Sequence, residues 1–466
     1  LAVGLEAARA LGAVALLPVH VLGYGLSRST QRKEIREDLG RPAVIDPGLE
    51  RLRAGALSHL PQRPLRIFIA CAEPSGEMHA RSFLRALRAH VAAIGGAPPV
   101  CSGIGGGALE AEGVRLLARP VERASMGFTT PLASLPYYLG VLRACAAHFS
   151  SATSGDPDIV VAIDSPALNV PLGRIAQRYG VPVVHFIAPQ YWGWAPWRSG
   201  AYKRAVDRAL TILPFEAAWF ARRGIGAAHV GHPALDALAK EPVTRPSENA
   251  RDLVLLPGSR RSVIQRNLPW MLGAATRLRH RFGDVPIVIA QADGSQSELV
   301  LDIVRAGGAE TWARVEIGGL HRVLSSARSA LSVSGTILID LLHHRLPTVV
   351  VYRLANRPAS WLALQLLTVP YFASVNLLAG RAVYPEFSFA GEGPAADIDR
   401  ALAQSYADRA WRAECIRGLD LASERLGPAG ASDRAAWTVL ELVDRAHARD
   451  RVERGGRFAG LASGAP

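Results

Sequence analysis

Ile159-Val-Val-Ala-Ile-Asp-Ser-Pro-Ala-Leu-Asn169 decides how this chain folds. Five apolar residues without alternation read as a strand buried on both faces, which is the habit of a parallel sheet covered by helices. Asp164 then stands at the strand's carboxyl end, and Pro166 turns the chain. Working outward, Arg66-Ile-Phe-Ile-Ala-Cys71 is a similar run, followed by a helical stretch from Ser75 to Ala89 with Leu84 and Leu87 on one face. Val181-Pro-Val-Val-His-Phe-Ile187 is a third strand. After a Pro-containing polar linker, Lys240 to Asn249, the pattern restarts with Asp252-Leu-Val-Leu-Leu256, Pro286-Ile-Val-Ile-Ala290, Ala330-Leu-Ser-Val333 and Pro347-Thr-Val-Val-Val-Tyr352. Strands alternating with helices, twice over, predict an α/β protein of two doubly wound Rossmann-like domains facing a cleft.

Composition agrees with folded domains. Hydrophobic residues make up 49% of the 466 and charged ones 20%, which excludes wholesale disorder. The 53 Lys and Arg against 40 Asp and Glu leave +13, favouring an anionic partner: nucleic acid, a phosphorylated metabolite or an anionic membrane surface. Cys71, Cys101, Cys145 and Cys415 lie far apart with no Cys-x-x-Cys pair, so neither a disulfide scaffold nor a zinc ribbon is expected. Residues Leu1 to Leu26 are mostly apolar but carry Glu6, Arg9 and Pro18. The uninterrupted run Leu11 to Leu17 is too short to cross a bilayer, and the basic stretch Arg28 to Arg36 follows it, the wrong order for a secretory signal. Two readings stay open here, a helix packed on the main body and an interfacial membrane helix with basic flanks.

Chemistry should gather where strands end. Ala72-Glu-Pro-Ser-Gly-Glu77 opens a helix after the first strand, where N–H groups can meet a ligand. Gly103-Ile-Gly-Gly-Gly-Ala108 imitates a dinucleotide fingerprint, but it follows a later strand and no acidic residue sits at a strand end about 20 positions on. Leu255-Leu-Pro-Gly-Ser-Arg260 ends a strand with Gly258, Ser259 and the cation of Arg260, which suits an anion. Ser334, Gly335 and Thr336 open a later helix, and Asp340 lies one turn further in, placed for ribose hydroxyls. Two such turns in one α/β unit favour a nucleotide diphosphate, although no P-loop is present. Asp164 is placed to act as a general base or to cap its loop. Pro189-Gln-Tyr-Trp-Gly-Trp-Ala-Pro-Trp-Arg198 is dense enough in tryptophan to grip a sugar face or an acyl chain, or to wedge two domains together. His185, His232 and His343 form no metal-binding pattern, and no metal is expected.

Taken in order, these pieces resemble the lipid-A-disaccharide synthase family, membrane-associated GT-B glycosyltransferases. The resemblance runs from about Leu65 to about Arg425 through Glu73-Pro-Ser-Gly76, Gly103-Ile-Gly-Gly106, Met126-Gly127, Pro157-Asp158, Ile163-Asp-Ser-Pro166, Asn169, Pro189-Gln190, Trp192-Gly-Trp194 and Arg198. It continues through Leu213-Pro-Phe-Glu216, Val230-Gly-His-Pro233, Leu256-Pro-Gly-Ser-Arg260, Ser334-Gly-Thr336, Tyr352 and Asn376-Leu-Leu-Ala-Gly-Arg381. The resemblance implies transfer of 2,3-diacylglucosamine from UDP-2,3-diacylglucosamine to the 6-hydroxyl of 2,3-diacylglucosamine 1-phosphate (lipid X), without a metal or other cofactor. It implies Asp164 as catalytic base with Glu73 as the next candidate. Gly258, Ser259, Arg260, Ser334, Gly335, Thr336, Asp340, Asn376 and Arg381 would hold the UDP donor. Ser75, Met126, Gln190, Trp192, Trp194 and Arg198 would lie on the acceptor or lipid side. The enzyme would be cytoplasmic, peripheral at the inner face of the bacterial inner membrane, with an anionic membrane surface and no nucleic acid as partner; a homodimer is left open. Net charge and an apolar stretch, Trp361 to Leu367, would serve the membrane approach.

Along the chain this gives an N-terminal extension (1–60), an acceptor-side domain (61–240), a UDP-sugar domain (246–420), a closing helix (421–448) and a flexible tail (449–466). Departures from the family pattern fall inside its signatures: Ala72, Glu77, Ala167, Val263, Ala188, Asp340, Val375 and Phe389 stand where other residues are usual. Asp164 and Arg260 are intact, which favours a divergent but active enzyme. The alternatives are another UDP-sugar GT-B transferase, or a relative that binds lipid or nucleotide without turnover.

Overall fold

In a computed structural model, which describes residues 2–45, 57–125, 131–150, 157–354 and 365–462, the apolar runs become strands of two separate parallel sheets. The chain divides into two units. Unit one comprises Leu1–Arg28, Ala43–Pro233 and Pro428–Pro466; unit two comprises Ser29–Pro42 and Ala234–Gly427.

The sheet of unit one contains β1 (Arg66–Ala70), β2 (Val100–Ile104), β3 (Arg115–Ala118), β4 (Ile159–Ile163), β5 (Val183–Phe186), β6 (Arg208–Thr211) and β7 (Ala227–His229). Their order is β3-β2-β1-β4-β5-β6-β7. Every residue of β4 is buried, as continuous apolar character requires of a central parallel strand. β4 lies against β1 with Ile67 opposite Ile159, and against β5 with Val160 opposite Val183. Helix Pro74–Ala93 begins with proline in its first turn and buries Ala80, Phe83, Leu84, Leu87 and Val91, an apolar stripe at helical spacing. Helix Pro166–Arg178 approaches closely at Gly173, where a Cβ would stand 2.3 Å from the Ala205 carbonyl oxygen. The last helix, Ala431–Ala462, closes the unit: Arg434 Nε donates to the Val230 carbonyl at 2.7 Å, and the Trp437 ring lies 4.4 Å from that of His90. It runs well past residue 448 into the expected tail, because the Arg, Glu and Ala there favour a helix enough to carry Gly455 and Gly456.

Two N-terminal helices, Ala2–Ala15 and Leu17–Asp38, also form. In unit one, Glu6 turns inward and pairs with Arg174 of helix Pro166–Arg178 and with Arg9. His20 and Tyr24 lie against the ring of Trp197, at 6.4 and 5.5 Å. The extension is therefore packed on the body, through buried Val3 as well as polar and aromatic side chains.

Unit two holds β8 (Asp252–Leu256), β9 (Ile287–Gln291), β10 (Ala313–Ile317), β11 (Ala327–Val333), β12 (Thr348–Arg353) and β13 (Glu386–Phe389), in the order β10-β9-β8-β11-β12-β13. Its core joins Leu253, Leu255, Ile289, Leu331 and Val351 of the sheet to Ile264, Leu268 and Met271 of helix Arg261–Phe282 and Ile398 and Leu402 of a later helix. Residues 29–42 are built into this unit. Ile35 is fully buried, Arg32 donates to the Leu367 carbonyl at 3.1 Å, and the backbones of Gly40 and Gly380 approach closely.

Candidate active site

In both sheets the strand order reverses direction once, between β1 and β4 and between β8 and β11. Loops leaving adjacent strands diverge there, opening a crevice at the carboxyl ends, the usual place for ligands in such sheets. The residues that follow these four strands are Glu73–Gly76, Asp164–Pro166, Gly258–Arg260 and Ser334–Thr336. The expected base, its alternative and most of the expected donor residues thus follow the strands at the two switch points.

At the first, Asp164 and Ser165 adopt φ of 51° and 47°, and Ile187 after β5 has φ of 64°. Three non-glycine residues in the left-handed region at neighbouring strand ends store strain of order 1–3 kcal/mol each. Asp164 is held there by its own backbone. Its N–H donates to the Phe186 carbonyl at 3.0 Å, and its carbonyl accepts from Asn169 Nδ2 at 2.6 Å and His185 Nε2 at 2.9 Å. Donation through Nε2 fixes the neutral His185 tautomer, and complete burial pushes its pKa down to about 4. The Asp164 side chain itself is half-buried. Helix Pro74–Ala93 brings its first turn to the same place: a Cβ on Gly76 would lie 3.6 Å from the Ile163 carbonyl and 3.9 Å from Asp164 Cβ. Glu73, the residue before that helix, is half-buried, and Ser75 is exposed. The Cys71 thiol is pushed up to about 12 by burial, with the charges of Glu77 and Asp164 adding to the effect. Around this turn, Ser165 Oγ, Asn169 Oδ1 and His185 Nδ1 are buried and find no hydrogen-bond partner among the described residues.

Glu77, one of the departures from the family pattern, explains the Gly103–Ala108 turn. Its Oε1 accepts from the N–H groups of Gly106 and Leu109, both at 2.9 Å. A carboxylate of the chain occupies the place a dinucleotide phosphate would take, so the fingerprint-like turn is structural.

The tryptophan-rich loop divides between core and surface. Trp192 is buried and edge-on to Phe215, and its Nε1 donates to Glu216 Oε1 at 2.9 Å. Glu216 is fully buried and its other oxygen accepts from the N–H groups of Ile212 and Leu213; burial pushes its carboxyl up to about 7 against those three donors. Trp192 thereby packs inside the unit, which fits the wedge among the readings open to this loop. Trp194 is exposed with the Arg198 guanidinium 5.2 Å over its ring, and Gln190 is exposed as well. Met126 lies outside the described residues.

At the second switch point, Ser332 of β11 pairs with Leu256 of β8, so the two turns that follow are neighbours. Gly258 has φ of 100°, and a Cβ there would stand 2.8 Å from Val263 Cγ1 and 3.4 Å from Val333 Cγ2. Val263 thus fills the space under the turn. Ser259 and Arg260 are exposed above it, as are Gly335 and Thr336. The helix that Thr336 introduces is short, Ile337–His343. Asp340 lies within it, its carboxyl pushed up to about 6 by burial, with His321 pulling the other way.

Asn376 and Arg381 have partners within the chain. Asn376 is fully buried and its bonding capacity is used inside the chain: Nδ2 donates to the Tyr384 carbonyl and Glu386 Oε2, and Oδ1 accepts from the N–H groups of Val383 and Tyr384. Glu386 also accepts from the N–H groups of Phe372 and Ala373, while Ser334 Oγ donates to the Phe372 carbonyl at 3.4 Å. Asn376 therefore shapes the loop beside Ser334. Arg381 forms an exposed ion pair with Glu414. Among the described residues, no group of three His, Cys, Asp or Glu could hold a metal ion.

Sequence reasoning passed over His185, Glu216 and Glu386 as site-building residues. A lone histidine in the buried Val-Val-His-Phe strand was the available signal for the first.

Comparison with known proteins gives this arrangement a family. Two solved structures share the fold. The S. aureus MnaA–UDP co-structure has a TM-score of 0.53 at 13% identity, covering 79% of this chain and 94% of its own. Arabidopsis thaliana UGT89C1 complexed with UDP has a TM-score of 0.51 at 12% identity, covering 82% and 100%. They place both sheets in the GT-B class of α/β folds. Lipid-A-disaccharide synthase of Myxococcus xanthus is 34% identical over 387 residues, covering 82% of this chain and 98% of the relative. That of Geobacter sulfurreducens is 30% identical over 397 residues, with the same coverage. Residues 67–413, which include both switch points, match the lipid-A-disaccharide synthetase family, and the chain belongs to that family of glycosyltransferases.

Proposed function

We propose that the chain transfers 2,3-diacylglucosamine from UDP to the 6-hydroxyl of 2,3-diacylglucosamine 1-phosphate, forming the β-1′,6-linked disaccharide 1-phosphate and UDP. The observation that carries the mechanism is the locked, left-handed Asp164 at the β1/β4 switch point. In this reading Asp164 takes the proton of the acceptor 6-hydroxyl as its oxygen attacks the anomeric carbon. The bond from that carbon to the UDP oxygen breaks, inverting the centre. Arg260 and the Gly258–Ser259 and Ser334–Thr336 turns stabilise the negative charge gathering on the departing diphosphate. Asp340 accepts from ribose hydroxyls, and Glu73 with Ser75 flank the acceptor. Trp194, Arg198 and Gln190, all exposed, meet the acyl-sugar. Because both sugars carry acyl chains, the enzyme works as a peripheral protein at an anionic membrane surface, on the cytoplasmic face; no described helix is long and apolar enough to cross a membrane.

Mass spectrometry after incubation with UDP-2,3-diacylglucosamine and lipid X tests the reading. The disaccharide 1-phosphate with UDP is the expected product; free diacylglucosamine with UDP, or no turnover, overturns it. Arg260→Ala should weaken UDP binding by about 10- to 100-fold in calorimetry, since a charge-assisted contact is worth about 1.5–3 kcal/mol.

A further inference from the structure

Building on the lipid-linked reaction above, we propose that the outward face of the N-terminal helix pair docks the enzyme on an anionic bilayer surface. These helices lie outside the family match, which begins at residue 67. Their inward side is mixed, with buried Val3 and Ile35 beside polar groups, while large aliphatic side chains stand outside. Inward, Glu6 is only 4% exposed, and His20 and Tyr24 lie on Trp197. Outward stand Val19 at 61%, Leu22 at 72% and Leu26 at 90% exposure. Their spacing of three and four residues makes one stripe along helix Leu17–Asp38, and exposed Leu16 and Leu5 continue the apolar character into the preceding helix. A water-facing helix places such residues against the core.

Charge selects the occupant. Beyond Leu26 the outward residues are Ser29, Thr30, Lys33, Arg36 and Glu37, and the stretch from 28 to 36 carries Arg28, Arg32, Lys33 and Arg36 against Glu34. An apolar stripe that runs into cations suits an interfacial helix lying in the headgroup layer of anionic lipid, with long basic side chains reaching the phosphates. The Trp197 contact ties this helix to the loop of Gln190, Trp194 and Arg198, so docking would present that loop to acylated sugars at the bilayer.

The test is sedimentation of the full chain with vesicles of phosphatidylcholine alone or mixed with phosphatidylglycerol. The wild type should bind the mixed vesicles more tightly. The triple variant Val19→Glu, Leu22→Glu, Leu26→Glu should bind them about tenfold or more weakly. Its melting temperature and its turnover of detergent-dispersed substrates should stay at wild-type values. Lys33→Glu with Arg36→Glu should abolish the preference for phosphatidylglycerol. No vesicle binding by the wild type, or equal binding by the triple variant, overturns the proposal. So does a concentration-dependent dimer that the triple variant abolishes without any vesicle binding, since the face would then be a self-interface. Vesicle binding that the triple variant loses, in a chain that makes no disaccharide, would support the docking face while removing the transferase reading.

Discussion

Asp164 carries the proposed base on a left-handed backbone. Asp and Asn tolerate that region better than other side-chain-bearing residues. Asp164→Asn should therefore fold as the wild type does, keep its UDP affinity and lose turnover by roughly 10²–10⁴-fold, the usual worth of a general base. A capping role alone would instead lower the melting temperature and leave the rate nearly intact. His185 offers a second check. Burial holds its folded pKa near 4, below the value of about 6.5 in an unfolded chain. Its contribution to stability is complete above about pH 6.5 and is lost as pH falls toward 4. His229, in the same unit, is also pushed down to about 4 by burial and by Arg434. The raised carboxyls of Glu216 and Asp340 act in the opposite sense over this range, so the check is a difference: in urea unfolding, the stability of the wild type relative to His185→Gln should fall by up to about 1.4 kcal/mol per pH unit as pH drops from 6.5 toward 4.

At the scale of elements, the loop that runs from the Ser374–Ala379 helix into β13 is organised by one amide. Asn376→Ala would leave the Val383 and Tyr384 N–H groups buried without acceptors, at about 1–3 kcal/mol for each group stranded. Thermal unfolding should register this loss directly, with UDP affinity falling only as the loop loosens. A collapse of affinity at an unchanged melting temperature would make Asn376 a donor contact after all. Central strands such as β4, β8 and β12 were legible because unbroken apolar runs suit a strand buried on both faces. The peripheral β3, β6 and β7 are three or four residues long and include Arg115, Arg208 and His229. They exist because a neighbour pairs with them, which local composition does not announce. Site residues at strand ends were legible for the same reason the strands were. What each side chain touches was not: Glu77 fills a turn 29 residues away, and Glu216 draws in a tryptophan 24 residues away. Such choices are made by the packed fold.

The whole molecule is interleaved. Residues 29–42 belong with unit two although most of unit one follows them, and residues 428–466 return to unit one after unit two. Neither flank is an ornament on the matched family region. A chain beginning at residue 57 loses buried Ile35 and the Arg32 contact from unit two, and the Glu6–Arg174 pair from unit one. Both units should melt at lower temperature in calorimetry; two unchanged transitions would show the N-terminal helices to be dispensable for folding. The same threading sets a timetable at the ribosome. Unit two has all its residues once position 427 is made, whereas unit one still lacks the helix that covers His90 and bonds Val230. The sheet that is begun first is therefore the one completed last, which reverses the ordinary rule that the N-terminal domain matures first.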